Sequence, residues 1–326
     1  MKKKENRPKN NSMSANPKPR QQKIPRRVIN GWLNIDKPAG MTSAQVVGRV
    51  KFLTKAAKVG HAGTLDPMAT GILPIALGSA TKTIPYLQES EKSYRFTVKW
   101  GEERDTDDAE GQVIKTSDIR PTADQIHALL PKYTGSIEQV PCQFSAVKVD
   151  GERAYDLARS GVAVELKPRT VDIYEFTLIS AETPDMAVFE VVCGTGTYMR
   201  ALARDIGRDL GCFGHLTAIR RLSVGPFAEK SAILLDNLKE IGHNQPFDSG
   251  LLPVHAALDD IPAYACDEGQ ARILRQGQAL VITSPKYFSG PVQQDDLIRV
   301  MFRDDCIAIT RLEDGYLIPV RIMNHQ

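Results

Sequence analysis

The sequence lacks the features of a secreted, metal-binding or membrane protein. Its five cysteines are odd in number, widely scattered and never spaced as C-x-x-C, which argues against a disulfide framework or a zinc site. Its six histidines show no H-E-x-x-H spacing. No apolar run approaches the ~20 residues that cross a bilayer, and no signal-peptide core follows the basic N-terminus. We expect a cytoplasmic protein without membrane attachment and without a metal cofactor.

Net positive charge is confined to the first residues of the chain. The net charge is +3, but residues 1–27 alone hold ten Lys or Arg and one Glu, a net of +9, so the remainder carries −6. A polyanion would therefore have to be held by local clusters of Lys and Arg or helped by this segment. Residues 1–27 are also rich in Asn, Pro and Gln and poor in apolar residues, which predicts a disordered tail.

A length of 326 residues suits one large and one smaller domain. Periodicity and turn signals predict strands at 93–100 and 188–193 and helices at 44–51, 122–130 and 201–210. A stretch rich in Gly, Asn, Pro and Ser predicts a linker at 242–254. Strands predicted at 297–302, 306–312 and 316–322, the last two joined through Asp314-Gly315, favour a small C-terminal β-barrel.

Asp66 is the strongest candidate for a catalytic side chain. It lies among Gly60, Gly63 and Gly71, which permit backbone geometries closed to other residues, and Pro67 pushes it away from helical torsions. A carboxylate held in such a turn is aimed in a fixed direction. The alternative is that Asp66 opens a turn or caps a helix that begins at Met68, because Asp is a preferred N-cap residue.

Two further polar segments admit more than one interpretation. The acidic run at 105–111 lacks the spaced ligands of a calcium loop and is better explained as a polar turn between strands. Residues 139–170 mix Lys and Arg with Tyr155, a composition that fits either a solvated loop or a surface that contacts RNA.

Residues 60–82 resemble the catalytic motif of the TruB family of tRNA pseudouridine synthases. The family pattern G-H-x-G-x-L-D-P-x-A-x-G-x-L-P-x-x-x-G-x-A-T-K is filled at every fixed position. Three more segments are similar to family motifs: D-K-P-x-G-x-[TS]-S at 36–43, G-T-Y-[IM]-R at 196–200 and H-x-x-x-L-R-R-x-x-x-G-x-F at 215–227. Departures are Ile219, where leucine is common, and Glu103-Arg104, where the family has Arg-Thr.

This resemblance implies an α+β pseudouridine synthase fold with a mixed, largely antiparallel sheet and a small C-terminal β-barrel of the PUA-like type. The corresponding division is a catalytic domain at 28–241, containing a mobile RNA-binding thumb at 142–170, then the linker at 242–254 and a PUA-like RNA-binding domain at 255–326. The segment 36–43 would open the catalytic domain, with Lys37 as a possible phosphate contact.

The resemblance also implies isomerisation of uridine 55 to pseudouridine in the T-arm of tRNA, without a cofactor or an obligatory protein partner, by a monomer. Asp66 would be the catalytic carboxylate, and Arg200 would pair with it. The implied roles of the other site residues are as follows: Tyr94 stacks on the base, His61 fills the gap left by the flipped base, Lys82 holds a phosphate or anchors the site, and Tyr198 and Leu222 form pocket walls.

Two other functions remain open from the sequence. A non-catalytic RNA-binding or tRNA-folding protein could keep the same scaffold, although intact Asp66 and Arg200 argue against this. A carboxylate-dependent glycosylase would break the same bond and release free uracil.

Overall fold

The computed structural model describes residues 26–144, 148–149, 152–153, 166–238 and 250–323. Three predicted segments therefore lie wholly or partly outside the described residues: the basic tail up to residue 25, most of the thumb at 142–170, and residues 242–249 of the linker.

The described residues form five α-helices and nineteen short or long strands. The helices are α1 Ser43–Thr54, α2 Ile84–Glu89, α3 Ala123–Leu129, α4 Met199–Asp209 and α5 Glu268–Arg275. The first nine strands are β1 Gly31–Lys37, β2 Val59–His61, β3 Thr70–Leu77, β4 Lys92–Trp100, β5 Glu102–Arg104, β6 Val113–Thr116, β7 Gly135–Gln139, β8 Lys148–Val149 and β9 Glu152–Arg153. The others are β10 Arg169–Thr183, β11 Met186–Cys193, β12 Gly214–Val224, β13 Phe227–Ala228, β14 Ile233–Leu234, β15 Ala263–Ala265, β16 Leu280–Val281, β17 Leu297–Phe302, β18 Asp305–Glu313 and β19 Tyr316–Ile322.

A ten-stranded sheet forms the centre of the first part of the chain. Its order is β14-β1-β3-β12-β4-β11-β10-β7, with β2 beside β3 and β13 beside β12. Only the β1–β14 and β3–β12 pairs are parallel among its described pairings. A second sheet, β15-β17-β18-β19-β16, curls into a half-barrel in the C-terminal region. The predicted fold class, with a mixed and largely antiparallel sheet, is confirmed.

Helix α1 contains the predicted range 44–51 and extends three residues further, to Thr54. Thr42 and Gln45 form a capping box, in which the Thr42 side chain accepts from the Gln45 backbone N–H and the Gln45 side chain accepts from that of Thr42. Lys55 ends the helix in the left-handed conformation, with φ of 56°. The first turn of α1 is thereby fixed beside the loop that contains Asp66.

The two sheets are joined through a shared hydrophobic cluster. Trp32 and Phe227 of the first sheet pack in the same buried cluster as Cys306 and Ile309 of the second. Across the same junction, Lys82 Nζ donates to the Ile322 carbonyl at 2.6 Å. Among the described residues, no helix has both the length and the apolar character needed to cross a membrane.

The central strands meet beside the Asp66 loop with no spare space. Arg221 of β12 pairs with Gly71 of β3 on one side and with Tyr94 of β4 on the other. Gly71 has φ of 97°, and a Cβ there would lie 2.2 Å from the Arg221 carbonyl oxygen. Only glycine permits this close approach of backbones, and the approach sets where β3 starts after Asp66.

Candidate active site

A cavity of about 560 Å³ opens at the end of the sheet where β3, β4 and β12 meet. Six stretches of chain contribute to it: the Asp66 loop, strand β4, the acidic turn, Phe144, the start of α4 and strand β12. Its polar lining residues include Asp66, Tyr94, Asp108, Tyr198 and Arg200. The structure thus brings together four of the seven predicted site residues, from segments up to 134 positions apart in the sequence.

The Asp66 loop is held by side chains from the segment before it. Ser43 Oγ accepts from the Leu65 N–H at 2.9 Å and donates to the Leu65 carbonyl at 3.1 Å. Lys37 Nζ donates to the carbonyls of Pro67 at 3.1 Å and Ala69 at 2.5 Å. Asp66 caps no helix, because residues 67–68 form a bend and β3 begins at Thr70; it does open a turn, in which the Ala69 N–H donates to the Asp66 carbonyl at 3.1 Å. The helix-cap alternative is therefore wrong.

Lys37 is buried in the protein and is not placed to meet RNA. Its side chain is 0% exposed, and burial lowers its pKa, opposed in part by the charge of Asp66. The possible phosphate contact at this residue does not fit such burial. Lys37 instead supports the two carbonyls that follow Asp66.

Arg221 also holds the Asp66 loop, through hydrogen bonds to residues on both sides of Asp66. Its Nη2 donates to the Gly63 carbonyl at 3.0 Å and its Nε to the Ile72 carbonyl at 2.7 Å, so it links the two ends of the segment containing Asp66. The residue is 1% exposed. A Cβ on Gly63 would lie 3.1 Å from Arg221 Nη1, which explains the small residue there.

Arg200 joins two carboxylates in the cavity. Its Nη2 lies 3.1 Å from Asp66 Oδ2, and its Nη1 lies 3.3 Å from Asp108 Oδ2. The guanidinium also donates to the carbonyls of Thr106 and Phe144. Burial acts to lower the pKa of Arg200, but the nearby acidic groups, Asp66 first, raise it by more. The contact with Asp66 is single rather than bidentate, because the other arm of the fork faces Asp108.

A second buried pair lies directly behind the first. Arg204, one helical turn after Arg200 on α4, has Nη1 3.0 Å from Asp107 Oδ2, and both side chains are 8% exposed. Burial raises the pKa of Asp107, and the charge of Arg204 opposes this rise. Asp107 has a left-handed backbone, with φ of 61°. This pair holds the acidic turn against α4 and turns Asp108 toward Arg200.

The two predicted tyrosines line the same cavity. Tyr94 is 9% exposed, and burial raises the pKa of its phenol although the charge of Arg221 opposes the rise, so the phenol stays neutral at physiological pH. Tyr198 precedes α4. The Gln139 side chain accepts from its backbone N–H at 2.8 Å and donates to its carbonyl at 3.1 Å. Gln139 therefore fixes the backbone next to Arg200.

Three predicted residues do not line this cavity. Leu222 is not among the residues that line the cavity, whose apolar wall on β12 is formed by Leu216 and Ile219; an irregularity in the strand between Leu216 and Ala218 lets these two face the same side. Lys82 lies at the junction of the two sheets, bound to Ile322. His61 ends β2, and its pKa is lowered by burial and by the charge of Arg221. Its predicted insertion into RNA stays a prediction.

Sequence reasoning missed the roles of four residues that shape the site, including Lys37, for which it offered only a phosphate contact. Asp108 and Arg221 lie at family-matched positions, which was the available signal, but the acidic turn was interpreted only as a connection between strands. No spacing rule pointed to Gln139 or Lys37, because their partners are distant in the sequence. Within the described part of the chain, no group of three or more His, Cys, Asp or Glu side chains is arranged to hold a metal ion.

Comparison with known proteins gives consistent matches. Residues 51–199 match the family model for the TruB family pseudouridylate synthase N-terminal domain, and residues 200–259 match that for the tRNA pseudouridylate synthase B C-terminal domain. The chain is 50% identical over 321 residues to tRNA pseudouridine synthase B of Rhodopseudomonas palustris, covering 96% of this chain and 85% of the relative. It is 49% identical over 299 residues to the protein of that name from Rhodospirillum rubrum, covering 91% of this chain and 97% of the relative.

Solved structures agree in fold. The crystal structure of an archaeal box H/ACA sRNP Nop10-Cbf5 complex contains a chain that superposes with a TM-score of 0.70 at 22% identity, covering 91% of this chain and 87% of that one. Such identity speaks for the fold alone. Because the identity to relatives is near 50% over almost the whole length, this chain belongs to the TruB family of pseudouridylate synthases, enzymes of the isomerase class.

Proposed function

We propose that this protein converts uridine 55 in the T-arm of tRNA to pseudouridine, with Asp66 as the catalytic carboxylate. One observation carries the proposal: a carboxylate that is 45% exposed to the cavity forms an ion pair with a guanidinium that is 9% exposed. The names of its relatives support tRNA as the substrate. Because product and substrate are isomers, the reaction needs no redox partner and no group donor.

The reaction breaks the N1–C1′ bond of the nucleoside, turns the detached uracil and joins its C5 to C1′. Asp66 either attacks C1′ as the N1–C1′ bond breaks, or removes the 2′ proton to give a glycal and later returns it. In both routes uracil leaves as an anion. When C5 bonds to C1′, the bond between Asp66 and C1′ breaks in the first route, and C2′ takes back its proton in the second. C5 then loses its proton and N1 gains one, so the atoms balance. Both routes require an ionised carboxylate in a protected site, and Arg200 stabilises that charge.

The cavity suits one flipped nucleotide. Extrusion of a base from a folded RNA costs a few kcal/mol, which stacking and apolar contacts in a pocket offset. Tyr94 offers an aromatic face, and Leu216 and Ile219 offer an apolar wall. His61 would occupy the space that the base leaves in the RNA. In this scheme Lys82 acts through the C-terminal sheet and does not touch the nucleotide.

The remaining expectations form part of the same proposal. The protein acts in the cytoplasm as a monomer, without a guide RNA or an obligatory protein partner. Its catalytic domain spans 28–241, and its PUA-like domain spans 255–326.

The test uses an unmodified tRNA transcript carrying tritium at C5 of uracil. We expect tritium release and pseudouridine at position 55 with the protein alone. Asp66→Asn is expected to bind tRNA and release no tritium, because the amide keeps the shape and loses the charge. Asp124→Asn, at an exposed position on α3, is the control and keeps full activity.

Three results would contradict the proposal, each in a different way. Pseudouridine at another position would refute the assignment of uridine 55. Release of free uracil would identify a glycosylase. Binding and refolding of tRNA with no product would identify a non-catalytic RNA-folding protein.

A further inference from the structure

Positive charge is concentrated in the first fifth of the chain. Residues 1–65 contain fifteen Lys or Arg and only two acidic residues, a net charge of +13, whereas residues 66–326 carry −10. Most of the protein therefore repels a polyanion. A substrate with one charge per phosphate needs a local positive surface. The excess of Lys and Arg that could form this surface lies in the sequence before Asp66.

The structure collects five of these cations on one surface, which we call the basic face. Arg27 forms backbone hydrogen bonds with the segment after α1: its N–H donates to the Lys55 carbonyl at 2.9 Å, and its carbonyl accepts from the Ala57 N–H at 3.0 Å. The start of the described chain is thus fixed beside the end of α1. The basic face consists of the exposed residues Arg26, Arg27, Lys51, Lys55 and Lys58.

Nothing within the described structure neutralises this face. None of its five side chains forms an ion pair with a carboxylate among the described residues. Stabilisation of the α1 dipole explains Lys51, which lies in the last helical turn. The dipole effect falls off within that turn, so it does not account for Arg26, Arg27 or Lys58.

The same surface exposes apolar side chains. Phe52 is 73% exposed and Val28 is 66% exposed, the two highest values among the large apolar side chains of the described residues. Both lie next to members of the basic face in the sequence. Exposed apolar groups among unpaired cations indicate a surface that a partner covers, and that combination fits RNA, which presents phosphates beside sugars and bases.

The basic face lies at the end of β3 opposite to the cavity. The Gly78 N–H, just after β3, donates to the Lys58 carbonyl at 2.9 Å, whereas the cavity is lined by Ala69, just before β3. Lys58 lies three residues before His61, about 10 Å along an extended strand. Lys51 lies eight residues, about 12 Å of helix, from Ser43, whose hydroxyl holds Leu65 beside Asp66. The eight residues of β3 span about 26 Å, so the face would meet the RNA several nucleotides away from the one in the cavity.

We propose that the basic face binds the phosphate backbone of the substrate RNA outside the flipped nucleotide, and that it supplies affinity rather than chemistry. This inference rests on the proposed function, since it takes tRNA as the ligand. Lys51, Lys55 and Lys58 would contact phosphates, and Phe52 would lie against the adjoining sugar or base.

The test compares two doubly substituted full-length proteins with equal loss of charge. Lys51→Gln/Lys58→Gln removes two cations of the face. Lys115→Gln/Lys132→Gln is the matched control, because each of those lysines already pairs with a carboxylate, Glu103 or Asp209. The dissociation constant of unmodified tRNA is measured from 50 to 200 mM KCl, and the single-turnover rate is measured at saturating tRNA.

For the basic-face variant we expect the slope of log affinity against log salt to become shallower by about 1.4 to 1.8, as for two lost phosphate contacts. Affinity at 100 mM KCl falls roughly tenfold, since each contact is worth about half a decade or more, and the saturated rate is unchanged. The control keeps the wild-type slope. Equal slopes in the two variants, or an unchanged slope in the basic-face variant, would overturn the inference. Wild-type protein that binds tRNA through the face but forms no pseudouridine would instead refute the proposed function alone.

Discussion

Asp108→Asn tests whether the second carboxylate on Arg200 sets the position of Asp66. In the wild type, Arg200 lies between the two carboxylates, 3.1 Å from one and 3.3 Å from the other. The substitution removes one charge and keeps the size and one acceptor oxygen of the side chain. Arg200 is then drawn only toward Asp66, and its second arm loses its charged partner.

The size of the effect follows from the geometry. Two unit charges 3.3 Å apart interact by about 5 kcal/mol at an effective dielectric constant of 20. Removal of one partner of a buried ion pair costs about 3 to 5 kcal/mol of folding stability. We expect a value near the lower end, because the amide oxygen of the substituted side chain can still accept a hydrogen bond from Arg200. At about 2 °C per kcal/mol for a chain of this size, the melting temperature falls by about 6 °C. A displacement of Asp66 by ~1 Å costs on the order of 100-fold in rate.

The assay pairs thermal unfolding with single-turnover tritium release at saturating tRNA. We expect a rate constant about 100-fold below wild type, with tRNA affinity changed by less than about threefold, because the Asp108 side chain is only 7% exposed and its carboxylate contacts the Arg200 guanidinium. Asp105→Asn is the control within the same turn, since Asp105 is exposed and only accepts from the Gln112 N–H, which an amide oxygen also does. A normal rate constant and an unchanged melting temperature in Asp108→Asn would refute the reasoning.

Three further changes test the support of the site and its response to pH. Gly71→Ala would place a Cβ 2.2 Å from the Arg221 carbonyl oxygen and is expected to prevent stable folding, whereas Gly40→Ala, also at positive φ but in open space, costs only about 1 kcal/mol; chemical denaturation of both distinguishes the cases. Arg221→Gln removes a buried guanidinium that holds both ends of the Asp66 loop, so we expect at least a tenfold slower single-turnover rate; wild-type turnover would show that the loop holds itself. Burial lowers the pKa of His215, so below pH 6.5 the unfolded chain binds a proton at this residue more readily than the folded chain does. The free energy of unfolding therefore falls by up to about 1.4 kcal/mol per pH unit as the pH is lowered. Denaturation between pH 7.5 and 5.5 should show a smaller dependence of the unfolding free energy on pH for His215→Asn than for the wild type, and an equal dependence would contradict the assignment.

The sequence predicts correctly those helices and strands that have a clear periodic pattern of polar and apolar residues. Strand β4 and helix α3 agree with their predicted ranges to within one residue at each end, α1 contains its predicted range, and β19 occupies the predicted range. Strands β3 and β12 were not predicted, because they are buried in the centre of the sheet or contain arginines whose partners lie on other strands. Such strands lack the alternation of polar and apolar residues that marks a half-buried one.

Only those site residues that lie in motifs shared with the family could be predicted from the sequence. The resemblance placed Asp66, Tyr94, Tyr198 and Arg200 together, and the cavity contains all four. It did not predict that Arg200 also contacts a second carboxylate. That carboxylate, Asp108, lies 92 residues earlier, in an acidic turn whose composition suggests only an exposed loop. It also selected Leu222 as a wall, whereas Leu216 and Ile219 line the cavity; two irregularities in the pairing of β12 decide which of its side chains face the cavity, and the sequence pattern does not reveal them.

The support of the Asp66 loop is hard to explain by stability alone. Lys37 and Arg221 are 0% and 1% exposed, and neither forms an ion pair with a carboxylate within the described residues. Burying a charge without a partner costs several kcal/mol, and apolar side chains of similar volume would close the sheet at lower cost. Both cations direct their donors to backbone carbonyls on either side of Asp66. The loop is therefore held by two cations whose burial costs folding free energy. Such a cost is expected where a fixed direction of the Asp66 carboxylate matters more for function than maximal stability does.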